Sequence, residues 1–212
     1  MCILIVKLTR RVAGLGRLGW WTAVVRIQLH YNRVSFGRRV RATGPVHLVV
    51  HPDGSMRIGD GVLINSGSNR NPVGGSGRCI IDVGPGARLE IGANTGMSNC
   101  EIICRKRIVI GAYCLLGGGS RIYDSDFHSI DSGMRRSRPD PGIRSEGVEL
   151  GDDVFVGAHA TILKGVKIGL RAVIGAGAVV TKSVPGDEIW AGNPARRIGF
   201  VGERNADRQG EK

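Results

Sequence analysis

Apolar residues recur every six positions over residues 148–182, without a slip. One series is Leu150, Val156, Ile162, Ile168, Ile174 and Val180, and a second, two residues earlier, is Val148, Val154, Ala160, Val166, Ala172 and Ala178. Glycine follows the first series at Gly151, Gly157, Gly169 and Gly175. A period of six fits neither a long strand nor a long helix. It predicts short strands joined by glycine turns and wound into stacked coils.

The same period continues upstream in a less regular form. Its inward positions are predicted to be Ile58 and Ile64, then Ile91, Met97 and Ile103, then Ile110, Leu116 and Ile122. Residues 69–77 look like an insertion between coils. The interval from Ile122 to Leu150 exceeds a multiple of six by four, so a protruding loop is predicted at residues 123–147. This loop contains the segment YDSDFHSID, in which His128 stands among three acids.

The first residues follow a different pattern. Apolar residues over residues 3–34 recur at intervals of three and four, with arginines between them, which predicts one helix or two shorter ones. The chain is therefore divided into a basic amphipathic helical segment at 1–42, a mainly β domain at 43–200 and a polar tail at 201–212. The 34 glycines and the aromatic content of 5% fit a repetitive β architecture with a core of small aliphatic residues.

Positive charge is concentrated at the start of the chain. The net charge is +12, and no acid precedes Asp53. Such a block implies an anionic neighbour. Nucleic acid is not expected, because spaced stacking aromatics are missing from the sequence. Two interpretations stay open for residues 1–35: packing on the protein, or peripheral contact with a membrane. The sequence shows neither a spanning segment nor a secretory signal, so we expect a cytoplasmic protein, with or without contact at the inner face of the membrane.

The cysteines do not suggest disulfides or a metal site. There are five, an odd number, and no pair has CxxC spacing. Small buried thiols in a reducing compartment are expected. No histidine lies at a ligand-like offset from a cysteine, so no metal is predicted.

The run VFVGAHATILKGVKIGLRAVIGAGAVVTKSVPGDEIWAGNPARRI, residues 154–198, resembles the left-handed β-helix hexapeptide-repeat acyltransferases. The likeness is greatest to the galactoside, maltose and polysaccharide O-acetyltransferase branch, and it covers about residues 55–200. The resemblance implies a left-handed parallel β-helix that assembles as a homotrimer of triangular prisms. It also implies that acetyl-CoA binds in the cleft between two prisms.

The resemblance also implies roles for individual residues. His128 matches the general base of the protruding loop. The coenzyme-binding positions match Ala158, Ala176, Thr181, Lys182 and Arg196. A position near the acceptor and the thioester falls at Ser98 or Asn99. Relatives often have tryptophan where this chain has Phe155, so an indole contact is not carried over.

The residues support parts of this on their own. Gly157-Ala158 and Gly175-Ala176 lie three six-residue units apart, which is one coil if three sides close a turn, so they stack on one edge and leave room for a slender thioester arm. The cations Lys182, Arg196 and Arg197 suit the phosphates of a coenzyme. A histidine, with an ordinary pKa of about 6.5, suits proton removal from a hydroxyl near neutral pH. Either Asp126 or Asp131 orients the ring, and a backbone N–H near Ala158 is the candidate oxyanion donor.

The sequence thus predicts an acetyl-CoA-dependent O-acetyltransferase that acts on a sugar hydroxyl in surface polysaccharide or glycolipid biosynthesis. Serine, an antibiotic or an amino-sugar nitrogen are alternative acceptors, because acceptor contacts lie mostly in loops. A non-catalytic prism that docks on a membrane through residues 1–35 is an alternative of another class. A three-histidine zinc site, as in the carbonic anhydrases with this type of prism, would need a third histidine in the later coils besides His128 and His159. His159 is interpreted as a structural or coenzyme-edge residue.

Overall fold

A computed structural model describes residues 19–202, except for residues 68–72 and 74–76. Most of this chain forms short strands in three sheets, which are the three faces of a triangular prism. Through residue 180, successive strands belong to successive faces, so three strands make one coil. Each strand pairs in parallel with the strand one coil further on.

The strands are assigned to faces A, B and C. Face A contains β1 (Ser35–Phe36), β4 (Ser55–Ile58), β7 (Arg88–Ile91), β10 (Arg107–Ile110), β13 (Val148–Leu150) and β16 (Lys167–Ile168). Face B contains β2 (Arg41–Ala42), β5 (Leu63–Asn65), β8 (Gly96–Ser98), β11 (Leu115–Leu116), β14 (Phe155–Val156), β17 (Val173–Ile174), β19 (Glu188–Ala191) and β20 (Arg196–Phe200). Face C contains β3 (His47–Val50), β6 (Ile80–Val83), β9 (Glu101–Cys104), β12 (Arg121–Tyr123), β15 (Thr161–Ile162) and β18 (Val179–Val180).

The six-residue period of the sequence is the period of the core. Both apolar series of residues 148–180 point into the prism, and none of their twelve members is more than 2% exposed. The register confirms that three six-residue units make one coil, because Glu149 pairs with Lys167 and Thr161 pairs with Val179. Each face therefore contributes a stacked ladder of aliphatic side chains, which fills the interior without large aromatic residues.

One predicted inward position is wrong. The period assigns Ile103 to the core, but in β9 the buried residues are Ile102 and Cys104. Ile102 pairs with Ile81 and Ile122 of the neighbouring coils. The turn before β9 is one residue shorter than in later coils, and a shift of one residue moves every side chain of a strand to the opposite face.

The prism begins earlier than the predicted boundary. Helix α1 is described over residues 19–31. Its Val25 and Leu29 are buried in the same core as Val40 and Ala42. Because β1 and β2 already pair with the next coil, the division at residues 42 and 43 falls inside the first coil. The predicted helical residues 3–18 lie outside the described residues, as does most of the tail at 201–212.

The last coil ends differently from the others. Strand β19 pairs in parallel with β17, and β20 then turns back to pair with β19 in antiparallel orientation. Face B is therefore extended beyond faces A and C at this end of the prism. Within the described residues, no helix is both long enough and apolar enough to cross a membrane.

Candidate active site

The edge between faces B and C is formed by turns at residues 117–120, 157–160 and 175–178, and we call it the bare edge. Each turn begins with glycine because the next coil lies against it. A Cβ atom at Gly157 would lie 2.5 Å from the nitrogen of Ala176, and one at Gly117 would lie 2.6 Å from the nitrogen of Ala158. No side chain fits at these positions, so the turns stack in direct backbone contact.

The outer surface of the bare edge carries little more than backbone. Its turn residues are mostly glycine and alanine, with Ala158 half-buried and Ala176 exposed. Among the described residues, no acceptor takes the N–H of Ala158 or that of Ala176. His159 is the one large side chain of these turns; it is exposed and has a left-handed φ of 59°. Their spacing of one coil thus brings Ala158 and Ala176 to the same edge, as the sequence predicts.

The bare edge continues upstream into a polar section. Gly119 donates its N–H to the carbonyl of Ser98 at 3.2 Å, so Ser98 and Asn99 lie one coil from the 117–120 turn. Both are buried, at 9% and 6% exposure. The side-chain oxygen of Asn99 accepts a hydrogen bond from the N–H of Gly67 at 2.8 Å. The amide of Asn65, which the sequence did not single out, contacts the hydroxyl of Ser98 at 3.5 Å.

The long loop, residues 124–147, leaves the prism at the edge between faces C and A, which we call the loop edge. Its two ends are paired: Asp126 donates its N–H to the carbonyl of Arg144 at 3.0 Å, and Glu146 donates to Asp124 at 2.9 Å. The rings of Tyr123 and Phe127 meet edge to face, with centroids 5.5 Å apart. The short helix α2 (Ser132–Arg136) crosses the outer part of the loop. The root of the loop is therefore fixed just before His128.

A buried carboxylate holds the chain where the loop begins. Asp124 is fully buried, and its oxygens accept the N–H groups of Arg105 at 2.7 Å and of Lys106 and Arg107 at 2.8 Å each. A buried charge is tolerated when hydrogen bonds replace its water. Burial, together with this carboxylate, raises the pKa of the adjacent Cys104 thiol to about 12. The sequence did not reveal this role, since nothing in YDSDFHSID separates a buried acid from exposed ones.

His128 is exposed, directly between the left-handed residue Phe127 and the buried Ser129. Asp126 and Asp131, the two acids predicted to orient the ring of His128, make their contacts with other residues. The carboxylate of Asp126 lies 3.1 Å from the ammonium of Lys164, and Asp131 caps α2 by accepting the N–H of Met134 at 2.8 Å.

Another acid of the long loop, Asp140, lies near His128. The N–H of Ser129 donates to it at 2.7 Å and that of Gly142 at 3.1 Å. These two hydrogen bonds, and then the nearby charge of His128, lower the pKa of the Asp140 carboxyl. Asp140 follows His128 by twelve residues and returns to it only because the loop folds back, so no sequence spacing indicated it.

The predicted phosphate-binding residues are separated in one protomer. Thr181 and Lys182 follow β18, at the loop edge, and both are exposed. Arg196 and Arg197 lie in β20, the outermost strand of face B. Arg197 is engaged by Glu188 at 3.4 Å and by the ring of Phe200 at 4.9 Å. Thus His128, Thr181 and Lys182 share one edge, whereas Ser98, Asn99, Ala158 and Ala176 share another.

The positions of the cysteines and of other potential metal ligands bear on two of the predictions. Four cysteines, Cys79, Cys100, Cys104 and Cys114, are buried and free, while Cys2 lies outside the described residues. In the part of the chain that the structure describes, no three side chains of His, Cys, Asp or Glu are grouped as metal ligands.

Comparison with known proteins shows which family and which proteins this chain is similar to. A family model described as the hexapeptide repeat of succinyl-transferase matches residues 147–182. A 2,3,4,5-tetrahydropyridine-2,6-dicarboxylate N-acetyltransferase of Clostridium perfringens is 49% identical over 57 residues, which are 27% of this chain and 24% of that protein. The chain thus matches about a quarter of the length of this curated relative.

Solved structures are similar over a larger part of the chain. AntD, an N-acyltransferase from Bacillus cereus in complex with dTDP and 3-hydroxybutyryl-CoA, has a TM-score of 0.62 at 17% identity, with 88% of this chain and 93% of that chain covered. A galactoside acetyltransferase in complex with coenzyme A has a TM-score of 0.54 at 21% identity, with 81% and 67% covered.

At these identities the structural likeness concerns the fold, and it confirms the predicted left-handed parallel β-helix of hexapeptide repeats. The repeat, its stacked glycine turns and the matched sequence agree with one another. Over residues 147–182 the chain is similar in sequence to the hexapeptide-repeat acyltransferases, and over most of its length it is similar to them in fold.

Proposed function

We propose that the protein transfers an acetyl group from acetyl-CoA to a hydroxyl of a sugar, with His128 as the general base. The observation that carries this proposal is the bare edge. Its stacked turns leave the N–H groups of Ala158 and Ala176 without a described acceptor and without a covering side chain of their own. The arm of coenzyme A is slender and contains amide carbonyls, so it suits a narrow strip of backbone donors.

The chemistry requires a base, an electrophile and an oxyanion donor. In the proposed step the neutral ring of His128 takes the proton of the acceptor hydroxyl while the oxygen attacks the thioester carbonyl carbon. The N–H of Ala158 stabilises the negative charge that develops on the carbonyl oxygen. The carbon–sulfur bond then breaks, and the coenzyme thiolate takes the proton back from the imidazolium. The acetyl ester and coenzyme A are released, and the histidine is regenerated.

The separation of the two edges supports a site shared between copies. Between Ala158 and Lys164, which holds the loop root, the chain crosses the whole width of face C through β15. We therefore propose a homotrimer in which the loop edge of one copy faces the bare edge of the next. The first copy supplies His128, Thr181 and Lys182, and the second supplies Ser98, Asn99, Ala158 and Ala176.

Exposed apolar side chains on the long loop fit this arrangement. Ile130 is 84% exposed, Met134 48% and Ile143 43%. Apolar residues grouped in this way favour a protein contact. In the proposed trimer they pack on the neighbouring copy and hold His128 near its bare edge. Arg196 and Arg197 complete the coenzyme site in this proposal, as donors to phosphate.

Replacement of His128 tests the base. We expect His128→Ala to lower acetyl transfer by about 10²–10⁴-fold, the range of general-base catalysis, and to leave the mass of the assembly unchanged. His30→Ala, at an exposed histidine of α1, is the matched control and keeps full activity. The readout is a gain of one acetyl group, measured by mass spectrometry on sugars, sugar nucleotides and lipid-linked glycans. Substantial activity in His128→Ala excludes the histidine as the base.

The acceptor is proposed from the resemblance of residues 154–198 to the sugar O-acetyltransferase branch. The names of the relatives include amine acceptors: the curated relative and AntD are N-acyltransferases. The same mass-spectrometric screen therefore includes serine, amino sugars and aminoglycoside antibiotics. Acetylation of an amine alone would contradict the hydroxyl proposal and keep the acetyltransferase. Cytoplasmic localisation and a place in surface polysaccharide or glycolipid biosynthesis belong to the same proposal.

A non-catalytic scaffold predicts no affinity for the coenzyme. Calorimetry with coenzyme A separates this alternative from the enzyme directly. Binding that is lost when the bare edge is blocked supports the transferase, and absence of binding to the wild-type protein favours the scaffold.

A further inference from the structure

Helix α1 has one apolar face that packs on the prism. Val25 and Leu29 are each 1% exposed and belong to the core cluster. The hydroxyl of Thr22 donates to the carbonyl of Ala42 at 3.2 Å, and Nε of Arg26 donates to the carbonyl of Val40 at 3.3 Å. This face of α1 therefore makes the contact between the helix and the first coil.

The opposite face of α1 is also apolar, and it is uncovered. Trp20 is 66% exposed, Ile27 69% and Tyr31 86%, and Val24 is half-buried between them. At 3.6 residues per turn these four side chains fall within an arc of about 60°. A helix that buries one stripe in a globular protein normally presents polar residues on the other side. We call this second stripe, Trp20, Val24, Ile27 and Tyr31, the outer stripe.

The part of the chain that holds α1 and the first coil is strongly basic. Its arginines are Arg26, Arg33, Arg38, Arg39 and Arg41, and no acid occurs before Asp53 in the sequence. Arg26, Arg39 and Arg41 line an open cavity of about 480 Å³ beside the helix. The nearest acids by sequence already have partners, because Asp60 accepts the N–H of Arg38 and Asp53 lies 3.6 Å from His51.

We propose that the outer stripe and its arginines bind an anionic lipid surface, with α1 lying in the plane of the membrane. An apolar stripe with tryptophan and tyrosine, flanked by cations, has the composition of an interfacial helix. Phospholipid headgroups supply the negative charge that the surrounding residues lack. This inference does not depend on the proposed transferase activity.

A second copy of the chain fits the outer stripe less well. A contact of the stripe with itself would bring the arginines of both copies together, and like charges at an interface are unfavourable. Residues 19–31 do not meet the requirement for a membrane span. The charge around the stripe therefore favours a lipid surface over both alternatives.

The test is flotation of the full-length protein with vesicles of phosphatidylcholine, with and without phosphatidylserine. We expect binding only when phosphatidylserine is present, and weaker binding at high salt. Ile27→Asp should lower the partition coefficient for these vesicles at least about tenfold, because a charged carboxylate would replace an apolar side chain that inserts into the lipid. Arg39→Glu should also weaken binding. Leu170→Asp, at an exposed apolar residue near the other end of the prism, is the matched control and binds as the wild type does.

Several outcomes would overturn the proposal. These are equal binding to neutral and anionic vesicles, no binding to either, and unchanged binding of Ile27→Asp. A changed assembly mass of Ile27→Asp, with lipid binding retained, would instead assign the stripe to a contact between copies. Tyr31→Asp, at a residue 86% exposed, repeats the test if Ile27→Asp is unstable. Coenzyme A binding is measured on the same variants, so a failure of the transferase proposal is recognised separately.

Discussion

Two edges of the prism are built from the same turn but present different surfaces. The edge between faces A and B is formed by turns at residues 111–114, 151–154 and 169–172, and we call it the polar edge. On both edges the turn begins with glycine and has a left-handed third residue, such as Arg171 or His159, each with φ of 59°. The closing hydrogen bond is also the same: Ala172 to Gly169 and Ala160 to Gly157 are both 3.3 Å.

The side chains at the second and third turn positions make the difference. On the polar edge, Asp152 accepts the N–H of Ala112 at 2.7 Å, and Arg171 pairs with Asp187 through bonds of 2.6 and 2.7 Å. Those side chains cover the backbone, and Asp152 occupies the N–H donor of Ala112. On the bare edge, alanine and glycine leave the backbone uncovered by side chains. A repeating backbone therefore offers equivalent edges, and a few outward residues decide which of them can hold a ligand.

The largest expected effect concerns the backbone that both edges share. Gly157→Ala and Gly151→Ala should each destabilise the protein by about 3 kcal/mol, because their Cβ atoms would lie 2.5 and 2.8 Å from backbone nitrogens of the next coil. Thermal unfolding at matched protein concentration measures this loss. Gly177→Ala, where no atom lies within 4 Å, is the control and should lose only the cost of a left-handed alanine, about 1 kcal/mol. Stable Gly157→Ala protein would mean that the coils do not stack closely.

The next effect separates the two edges. Ala176→Trp on the bare edge should weaken coenzyme A binding on the order of 100-fold, because an indole would cover the strip of backbone donors. Leu170→Trp, at the same turn position of the polar edge, should leave affinity unchanged. Calorimetry with coenzyme A measures both variants. Equal losses, or a loss in Leu170→Trp alone, would remove the functional distinction between the edges.

The smallest effect belongs to the ion pair of the polar edge. The Arg171 guanidinium, first by its hydrogen bonds and then by its charge, lowers the pKa of the Asp187 carboxyl. A lowered carboxyl pKa stabilises the fold above the pKa of the unfolded chain, and this stability is lost as the pH falls through the folded value. Both groups are about half exposed, so Arg171→Ala should change the melting temperature little at neutral pH. That difference should vanish in acid. A large change at neutral pH would assign the polar edge a stabilising role that its exposure does not suggest.

The sequence predicted the regular part of the molecule well, for a physical reason. In residues 148–182 each six-residue unit is one strand and one turn, so a single period determines burial, register and stacking together. The same rule failed at Ile103, where a turn shorter by one residue shifted the strand. The prediction also missed β1 and β2, although the buried residues Val34, Val40 and Val46 are spaced by six there as well.

The site was predictable only where it depends on that period. Ala158 and Ala176 lie on one edge because three six-residue units make a coil, as the pairing of Val156 with Ile174 shows. The surroundings of His128 depend instead on how the long loop folds back. Asp126 contacts Lys164 of the next coil, and Asp140 returns to the neighbourhood of the histidine by accepting the N–H of Ser129. Such contacts across a loop have no spacing that a sequence pattern can detect.

The central claim is that the base and the coenzyme strip of one active site come from different copies of the chain. Co-expression of His128→Ala with Ala176→Trp, each strongly impaired alone, tests it most directly, with acetyl transfer by the purified mixed assemblies as the measurement. In random trimers a site formed between neighbours pairs an intact loop with an intact bare edge one time in four, so activity should return to about a quarter of the wild-type value. Mixed assemblies that stay as inactive as either variant alone would show that both parts must belong to one chain, and would contradict the account.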